Sequence, residues 1–472
     1  MGFISTIKGW FNMLFKSKVK EEFEVESIVS VPVAKMTEYC GKIYQGDPDW
    51  LDEEEHIKTI NFAKTICAET ARLTTLAIKV QVEGSARAEW LQKQLDKEYF
   101  NIREWVEYAD AFGTVILKPT LNGIDLFTPD KFMVTDQRDG DIIGAVFIHN
   151  DTVGDKYYTL LEYHRFLEDG NYAVSNRCYV GDSKNDMKKE IAIEKTPWNG
   201  LLEEVVIQNL EMPLFGVLKT PNANNVDISS PISLSIFADA IEELKDLDIA
   251  YSRNSKEIID SKRTVLLDSD RMFADGTRVS AMYGDAMKKK REAMGLPDYV
   301  RNVHGDGAKT FYEEINPTLQ TDTRITGINF LLSVIGFKCG YSNGYFVLDE
   351  KTGMITATQV ESDDRRTIQL IKDCRDKLEL CFKQLIYALN AFADLYNLAP
   401  LGVYEVVYDF GDITYNREED RARWYGYAMQ NKVPFWYYLV KFEGMTEEEA
   451  KSMVAEAQPK ETMLFGGVNN GN

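Results

Sequence analysis

The residue types that usually carry chemistry are sparse in this chain and widely spaced. Four histidines (His56, His149, His164 and His304) stand in different segments, without the spacing that would ligate a metal. No H-E-x-x-H, G-x-S-x-G, Walker-type P-loop or G-x-G-x-x-G stands at a strand-to-helix turn. Asp246 and Asp248 are two apart, and on a helix such residues point to different faces, so they read as surface charge. His164 alternates with bulky residues in Glu162-Tyr163-His164-Arg165, the pattern of a structural histidine on a strand. The six cysteines (Cys40, Cys67, Cys178, Cys339, Cys374, Cys381) form no paired framework and no C-x-x-C, and so read as free thiols of a reducing cytoplasm. The expectation is a chain with no catalytic residues, no metal and no cofactor.

The composition points the same way. The chain has 472 residues, 44% hydrophobic, 12% aromatic and 27% charged, a profile of folded, soluble proteins with room for about three structural units. Lys plus Arg total 54 against 75 Asp plus Glu, a formal charge of −21. That balance argues against wrapping nucleic acid, which needs cationic surface to release counterions, but lets DNA pass nearby without sticking. No run approaches the ~18 apolar residues of a membrane span. At the start, Ile4, Ile7, Phe11, Leu14 and Phe15 fall near helical spacing among Lys8, Lys16, Lys18 and Lys20. A secretory signal is disfavoured, since a clean apolar core and a small-residue cleavage site are missing. A membrane-surface helix, with Gly2 and Thr6 fitting a myristoylation pattern, and an amphipathic helix docked on its own protein or a partner both stay open.

Three textures follow. Residues ~21–110 read as helical, with Ile57, Ile60, Phe62, Ala63, Ile66 and Cys67 on one helix and Trp90, Leu91 and Leu95 on the next. From Gly113 to about Val217 the period moves toward two. Val115–Leu117, Phe132–Val134, Ile142–His149, Tyr157–Phe166 and Tyr172–Val180 read as strands of an antiparallel meander, with turns at Asn122-Gly123, Asp139-Gly140 and Asp169-Gly170-Asn171. Ser230-Pro231 then reads as a helix start, with Phe237, Ile241, Leu244, Leu247 and Tyr251 on one face of about 30 residues, or ~45 Å. A longer helix is expected from about Val360 to Asn397. Ile371, Leu378, Leu385 and Phe392 repeat there every seven residues, with Cys374, Cys381, Ala388 and Leu395 beside them, a narrow seam for another long element. Between the two helices, Thr264–Leu267 and Thr310–Tyr312 read as short strands. Residues 262–317 carry 10 basic and 9 acidic side chains, nearly neutral within an acidic chain, and Lys288-Lys289-Lys290-Arg291 is their densest basic run. That run reads as a solvated helix face or as a docking patch for an acidic partner. Asn416–Glu419 and Thr446–Glu449 look like capping boxes of a last helical unit.

In this order the elements resemble the portal proteins of tailed double-stranded-DNA phages, of the long-tailed phage or prophage branch. The resemblance runs from about Val31 to Gln458. It rests on Glu162-Tyr163-His164-Arg165-Phe166 with Asn171-Tyr172 and Asn176-Arg177-Cys178-Tyr179, on Ile228-Ser229-Ser230-Pro231-Ile232, and above all on Gly340-Tyr341-Ser342-Asn343-Gly344-Tyr345-Phe346 with Thr356-Ala357-Thr358-Gln359-Val360. Gln359 stands where that branch commonly has glutamate.

The resemblance implies an α+β portal fold and a closed ring of about twelve copies at one capsid vertex, the head-to-tail connector through which double-stranded DNA is packaged and ejected. It implies an N-terminal amphipathic segment (1–20), a wing (21–228), a first stem helix (229–261), a clip (262–317), a second stem helix (318–336), a tunnel-loop region (337–361), a long helix (362–398) and a crown with its tail (399–472). The implied partners are the terminase large subunit, the head-tail adaptor, the major capsid protein and scaffold, and DNA in transit without sequence specificity; no stable membrane association is implied. Its setting would be the virion, and the host cytoplasm during assembly. Lys288, Lys289, Lys290 and Arg291 are then candidates for docking the motor or adaptor. Lys338, Lys351, Arg365 and Arg366 are candidates for facing DNA, with solvated surface charge as the equal alternative. The rival readings are a DNA-processing enzyme using Asp246 and Asp248, and a peripheral membrane or scaffold protein anchored by residues 1–20.

Overall fold

The structure is a computed structural model that describes residues 15–120, 123–183, 186–187, 189–261, 264–268, 300–303, 312–315, 319–347, 365–410, 417–430, 432–443 and 445–457. Apolar residues at three- and four-residue spacing build its first part: α1 (residues 15–23), α2 (Val31–Tyr44), α3 (Phe62–Thr74), α4 (Ala86–Glu98) and α5 (Ile102–Phe112), with the short strand β1 (Lys79–Glu83) before α4. The helix expected from Ile57 begins only at Phe62. Asn61 before it has a left-handed backbone (φ +51°), and Ile57 bridges back to Asp52.

The change of period after Gly113 produces β2 (Thr114–Thr120), β3 (Gly123–Phe127), β4 (Phe132–Arg138), β5 (Asp141–Val153), β6 (Lys156–Phe166) and β7 (Tyr172–Gly181). Strands β4 to β7 form an antiparallel meander as expected, extended by β8 (Lys189–Glu190), while β9 (Glu204–Ile207) also pairs with β7; Val115–Leu117, expected in the same meander, belongs to β2 in a separate three-stranded sheet. Asp139 and Gly140 both have positive φ, the geometry of a tight hairpin turn that follows strand twist. The strand β10 (Gly216–Lys219) lies beside β2, which pairs with β3 on its other edge. Phe15 and Val19, one turn apart on α1, are buried on the meander among Met133, Val146, Leu161 and Tyr179.

The first long helix is shorter than its start signal suggests. After Ser230-Pro231 the chain stays irregular, with a single 3-10 turn at 238–240, and α6 spans Ile241–Asp260. Ile232, Leu234 and Ile236 are buried between serines, a period of two that outweighs the cap. Backbone bonds fix this segment: the Ser233 N–H donates to Thr114 Oγ1 (3.0 Å) and the Ile236 N–H to the Asp110 carbonyl (2.9 Å). Gly113 makes the approach possible, since its φ is +82° and a Cβ there would lie 2.1 Å from the Ser233 carbonyl oxygen.

Beyond α6 come β11 (Thr264–Asp268), β12 (Val300–Val303) and β13 (Tyr312–Ile315), then α7 (Thr321–Lys338) and α8 (Arg365–Leu395). β11 is the central strand, parallel to β12 and antiparallel to β13. The seven-residue repeat of α8 is buried as expected at Ile371, Leu378 and Leu385, and Cys374, Cys381 and Ala388 pack with them as small, unbridged core residues. Its partner is not another long helix. Leu370, Phe382, Ile386 and Leu389 widen the stripe, and the helix lies on β2, β10, α3 and α4. β14 (Glu405–Asp409) then returns to pair antiparallel with β1.

Two buried arginines tie this layer together. Arg375 on α8 donates to the carbonyls of Thr74 (3.0 Å) and Leu76 (2.9 Å) at the end of α3. Arg87 on α4, 1% exposed, donates to the carbonyls of Asn390, Ala399 and Pro400 and pairs with Asp394. The residues Gly411–Asn472 form a second compact unit, with α9 (Arg417–Met429), α10 (Phe435–Glu443) and α11 (Glu447–Ala457). The capping box at Thr446 is reciprocal: the Glu449 N–H donates to Thr446 Oγ1 (3.3 Å) and the Thr446 N–H to Glu449 Oε2 (3.1 Å). Asn416 lies outside the described residues.

Two stability predictions follow from buried polar groups. Arg87→Met strands three carbonyls and Asp394, and should lower unfolding free energy by about 3 kcal/mol in denaturant titrations. Asp110 is buried, its Oδ2 has no hydrogen-bond partner, and burial pushes its carboxyl well above the usual range. A raised carboxyl favours the folded state below about pH 4 and loses that advantage as pH rises. Asp110→Asn should therefore stabilise the chain at pH 7 by on the order of 1 kcal/mol, with the gain vanishing below about pH 4.

Candidate functional site

Helices α6 and α7 run antiparallel, and two ion pairs set their register. Glu243 pairs with Lys338 (2.6 Å) and Glu257 with Arg324. The partners are 14 residues apart on both helices, ~21 Å of rise, so one register relates the whole pair and sets Tyr251 level with Phe330. The sequence reading missed this clamp, although two acids on one helix and two bases on the next at equal spacing were its visible signal.

The pair has both a shared core and exposed apolar side chains. Ile241, Leu244 and Leu247 of α6 join Ile328, Leu332 and Ile335 of α7 in a core shared with Cys40, Ile43, Ile66 and Cys67. Tyr251 and Ile258 continue the line of Leu244 at seven-residue spacing and, with Ile259, are exposed toward the far end of α6, whereas Phe330 (68% exposed) and Phe337 lie on the face of α7 opposite Ile328, Leu332 and Ile335. α7 also carries Ile325, Leu331 and Val334, so it is apolar nearly all round, a composition normally found only in buried helices. Clustered large bare side chains are a feature of interaction sites.

At one end of the pair stand β11, β12 and β13. The basic run Lys288-Lys289-Lys290-Arg291 lies outside the described residues. At the other end, residues 340–347 fold back onto α3. The Tyr341 hydroxyl shares a 2.6 Å hydrogen bond with Thr70, Tyr345 bonds Glu69, and Phe346 sets its ring edge-on to Phe62 at 5.1 Å. Ser342 and Thr367 exchange hydrogen bonds, joining this turn to the start of α8.

The four candidate DNA-facing cations fare differently. Lys338 Nζ donates to the Asp239 carbonyl (2.9 Å) as well as to Glu243, so its charge is committed to α6. Arg366 donates to the Phe337 carbonyl (2.7 Å) and stacks on the Phe337 ring at 3.8 Å, which caps the end of α7. Arg365 is exposed at the first turn of α8. Lys351 lies outside the described residues.

Asp248 is not surface charge. It is buried on α6, and its carboxylate accepts from Trp50 Nε1 (2.9 Å) and the Ile60 N–H (3.0 Å), pinning the segment that precedes α3. Asp246 is exposed, as expected. The histidines are less scattered than their numbering suggests: pairing of β5 with β6 brings His149 and the buried His164 to one carboxylate, Glu162. Among the described residues, no group of three or more His, Cys, Asp or Glu has the arrangement to hold a metal ion, and no helix is long and apolar enough to cross a membrane.

Compared with known proteins, the chain matches no family model and no curated protein.

If the two ion pairs set register, charge reversal should be rescued by its mate. Glu243→Lys should lower stability by up to about 1 kcal/mol, and Glu243→Lys with Lys338→Glu should restore most of it in a double-mutant cycle.

Proposed function

We propose that this chain is a portal subunit of a tailed double-stranded-DNA phage or prophage, a ring at one capsid vertex through which the genome is packaged and ejected. The exposed apolar side chains of α6 and α7 carry the reading. In a closed ring each copy offers one surface to the next copy's different surface, so a side that is exposed in one chain is covered in the assembly. The three strands at one end of the pair would be the clip that meets the terminase motor and then the adaptor. The α2–β10 region would be the wing, and the last unit the crown.

Charge supports the conduit. Duplex DNA carries one negative charge per ~1.7 Å, and a cationic bore would gain affinity at each step through counterion release. A chain of formal charge −21 supplies little such grip, so DNA could slide under the motor's force. Two of the sparse cations near the tunnel-loop region, Lys338 and Arg366, already serve α6 and α7, which leaves Arg365 as the described candidate for transient phosphate contact. A membrane anchor formed by the N-terminal segment has less support, because Phe15 and Val19 are buried in the chain's own meander.

The test is direct. Purified protein viewed by electron microscopy and sized by light scattering should give closed rings of about twelve copies; only single globules would end this reading. Phe330→Asp should leave the isolated chain within about 0.5 kcal/mol of its original stability, because the site is exposed, yet reduce the ring fraction at least about tenfold.

A further inference from the structure

Four buried polar side chains, Lys118, Glu162, His164 and Tyr172, and the half-buried His149 form a continuous path between β2 and the meander, and their hydrogens can be counted. Lys118 Nζ donates to Glu162 Oε2 (2.6 Å), and His149 Nε2 meets the same oxygen at 2.8 Å. His164 Nε2 lies 3.0 Å from Glu162 Oε1, and its Nδ1 lies 2.9 Å from the Tyr172 hydroxyl. The Leu214 N–H donates to that hydroxyl oxygen at 3.1 Å. Tyr172 is fully buried, so its one proton has a single acceptor in reach, His164 Nδ1. That requirement fixes the ring as the neutral tautomer with its proton on Nε2, donated to Glu162.

A second proton on His164 breaks this arrangement. Nδ1 becomes a donor facing an oxygen that already accepts from Leu214, and the Tyr172 proton is left without an acceptor. The charge count is also unfavourable, since the single Glu162 carboxylate is already paired with Lys118. The groups facing His164 are Lys118 from β2, His149 from β5, Glu162 on its own strand and Tyr172 from β7. The rings of Phe147 (5.3 Å) and Phe215 (6.0 Å) close the remaining sides, and Tyr396 beyond α8 feels the charge of Glu162. Burial, followed by the partly offsetting bond to Glu162, holds His164 below the ordinary histidine range.

Leu214 leads into the strand seated on the long helix. The Glu211 N–H donates to the Tyr387 hydroxyl (2.8 Å) and the Val217 N–H to Gln384 Oε1 (2.8 Å). A Cβ on Gly216 would lie 2.8 Å from the Cys381 carbonyl oxygen. Tyr172 therefore joins the meander to a segment that rides on α8.

We propose that His164 is an acid-sensitive latch between the meander and the long helix: neutral, it holds Tyr172 and through it Leu214; protonated, it releases both. The sign follows from a basic group whose proton is disfavoured in the folded chain. The latch is closed above the ordinary histidine value of about 6.5 and opens as pH falls below it.

The experiment is hydrogen exchange on the full chain at about pH 7.5 and about pH 5, with protection of peptides covering residues 211–217 corrected for the intrinsic pH dependence of exchange. Protection should fall about tenfold or more at the lower pH, while peptides from the middle of α8 hold theirs. His164→Asn, which keeps an acceptor near Tyr172 but cannot titrate, should remove the pH response. His149→Gln should retain it. Tyr172→Phe should show low protection at both pH values, which keeps the test available if His164→Asn does not fold. Unchanged protection in the original chain, a response that persists in His164→Asn, an equal loss along α8, or full protection in Tyr172→Phe would each overturn the latch.

Discussion

Arg375 and Arg87 solve a problem that the long helix creates. α8 buries one face for most of its length, and the segments packed on it end there, where their last carbonyls have no intrahelical partner. Guanidinium donors serve those groups: Arg375 the end of α3, and Arg87 the chain after α8. A buried guanidinium is tolerated only when its N–H groups find acceptors, so the arrangement holds as a set or fails as one. Both contacts join residues about 300 apart in sequence, and β1–β14 pairing closes the same gap. Everything from α5 to α7 is thereby a long excursion between two pinned ends.

What could be read from the sequence was whatever a local period determines. Alternation gave the meander, with Asp139-Gly140 at its tightest turn, and the seven-residue repeat gave α8 and the burial of Cys374 and Cys381. Thr446 with Glu449 marked a helix start that forms as a reciprocal cap. The misreadings all concern partners. The heptad of α8 predicts a narrow seam against another long element, yet short strands and short helices present an equally apolar surface, and a repeat does not say which it meets. Ser230-Pro231 is a sound cap signal, but Ile232-Ser233-Leu234-Ser235-Ile236 alternates beyond it, and bonds to Thr114 and Asp110 reward the extended form. Asp248 looked solvated because its acceptors' mates, Trp50 and Ile60, lie nearly 200 residues away. His149 and His164 meet at Glu162 only through strand register, which spacing along the chain cannot reveal.

The α6–α7 pair separates what orients a surface from what drives its burial. Its ion pairs are partly exposed, and such pairs contribute at most about 1 kcal/mol each. They fix which residues stand side by side. The free energy of covering the pair must come from Tyr251, Ile258, Ile259, Phe330 and Phe337, at roughly 25 cal/mol for each Å² of apolar surface removed from water. Assembly also has a cost that grows with copy number, since every copy adds a formal −21 and like charges repel at close range. A ring built from such chains cannot rely on electrostatic attraction between neighbours. In the proposed ring, exposed apolar side chains held in register by ion pairs within each copy would let an acidic chain associate while leaving its charge for the bore.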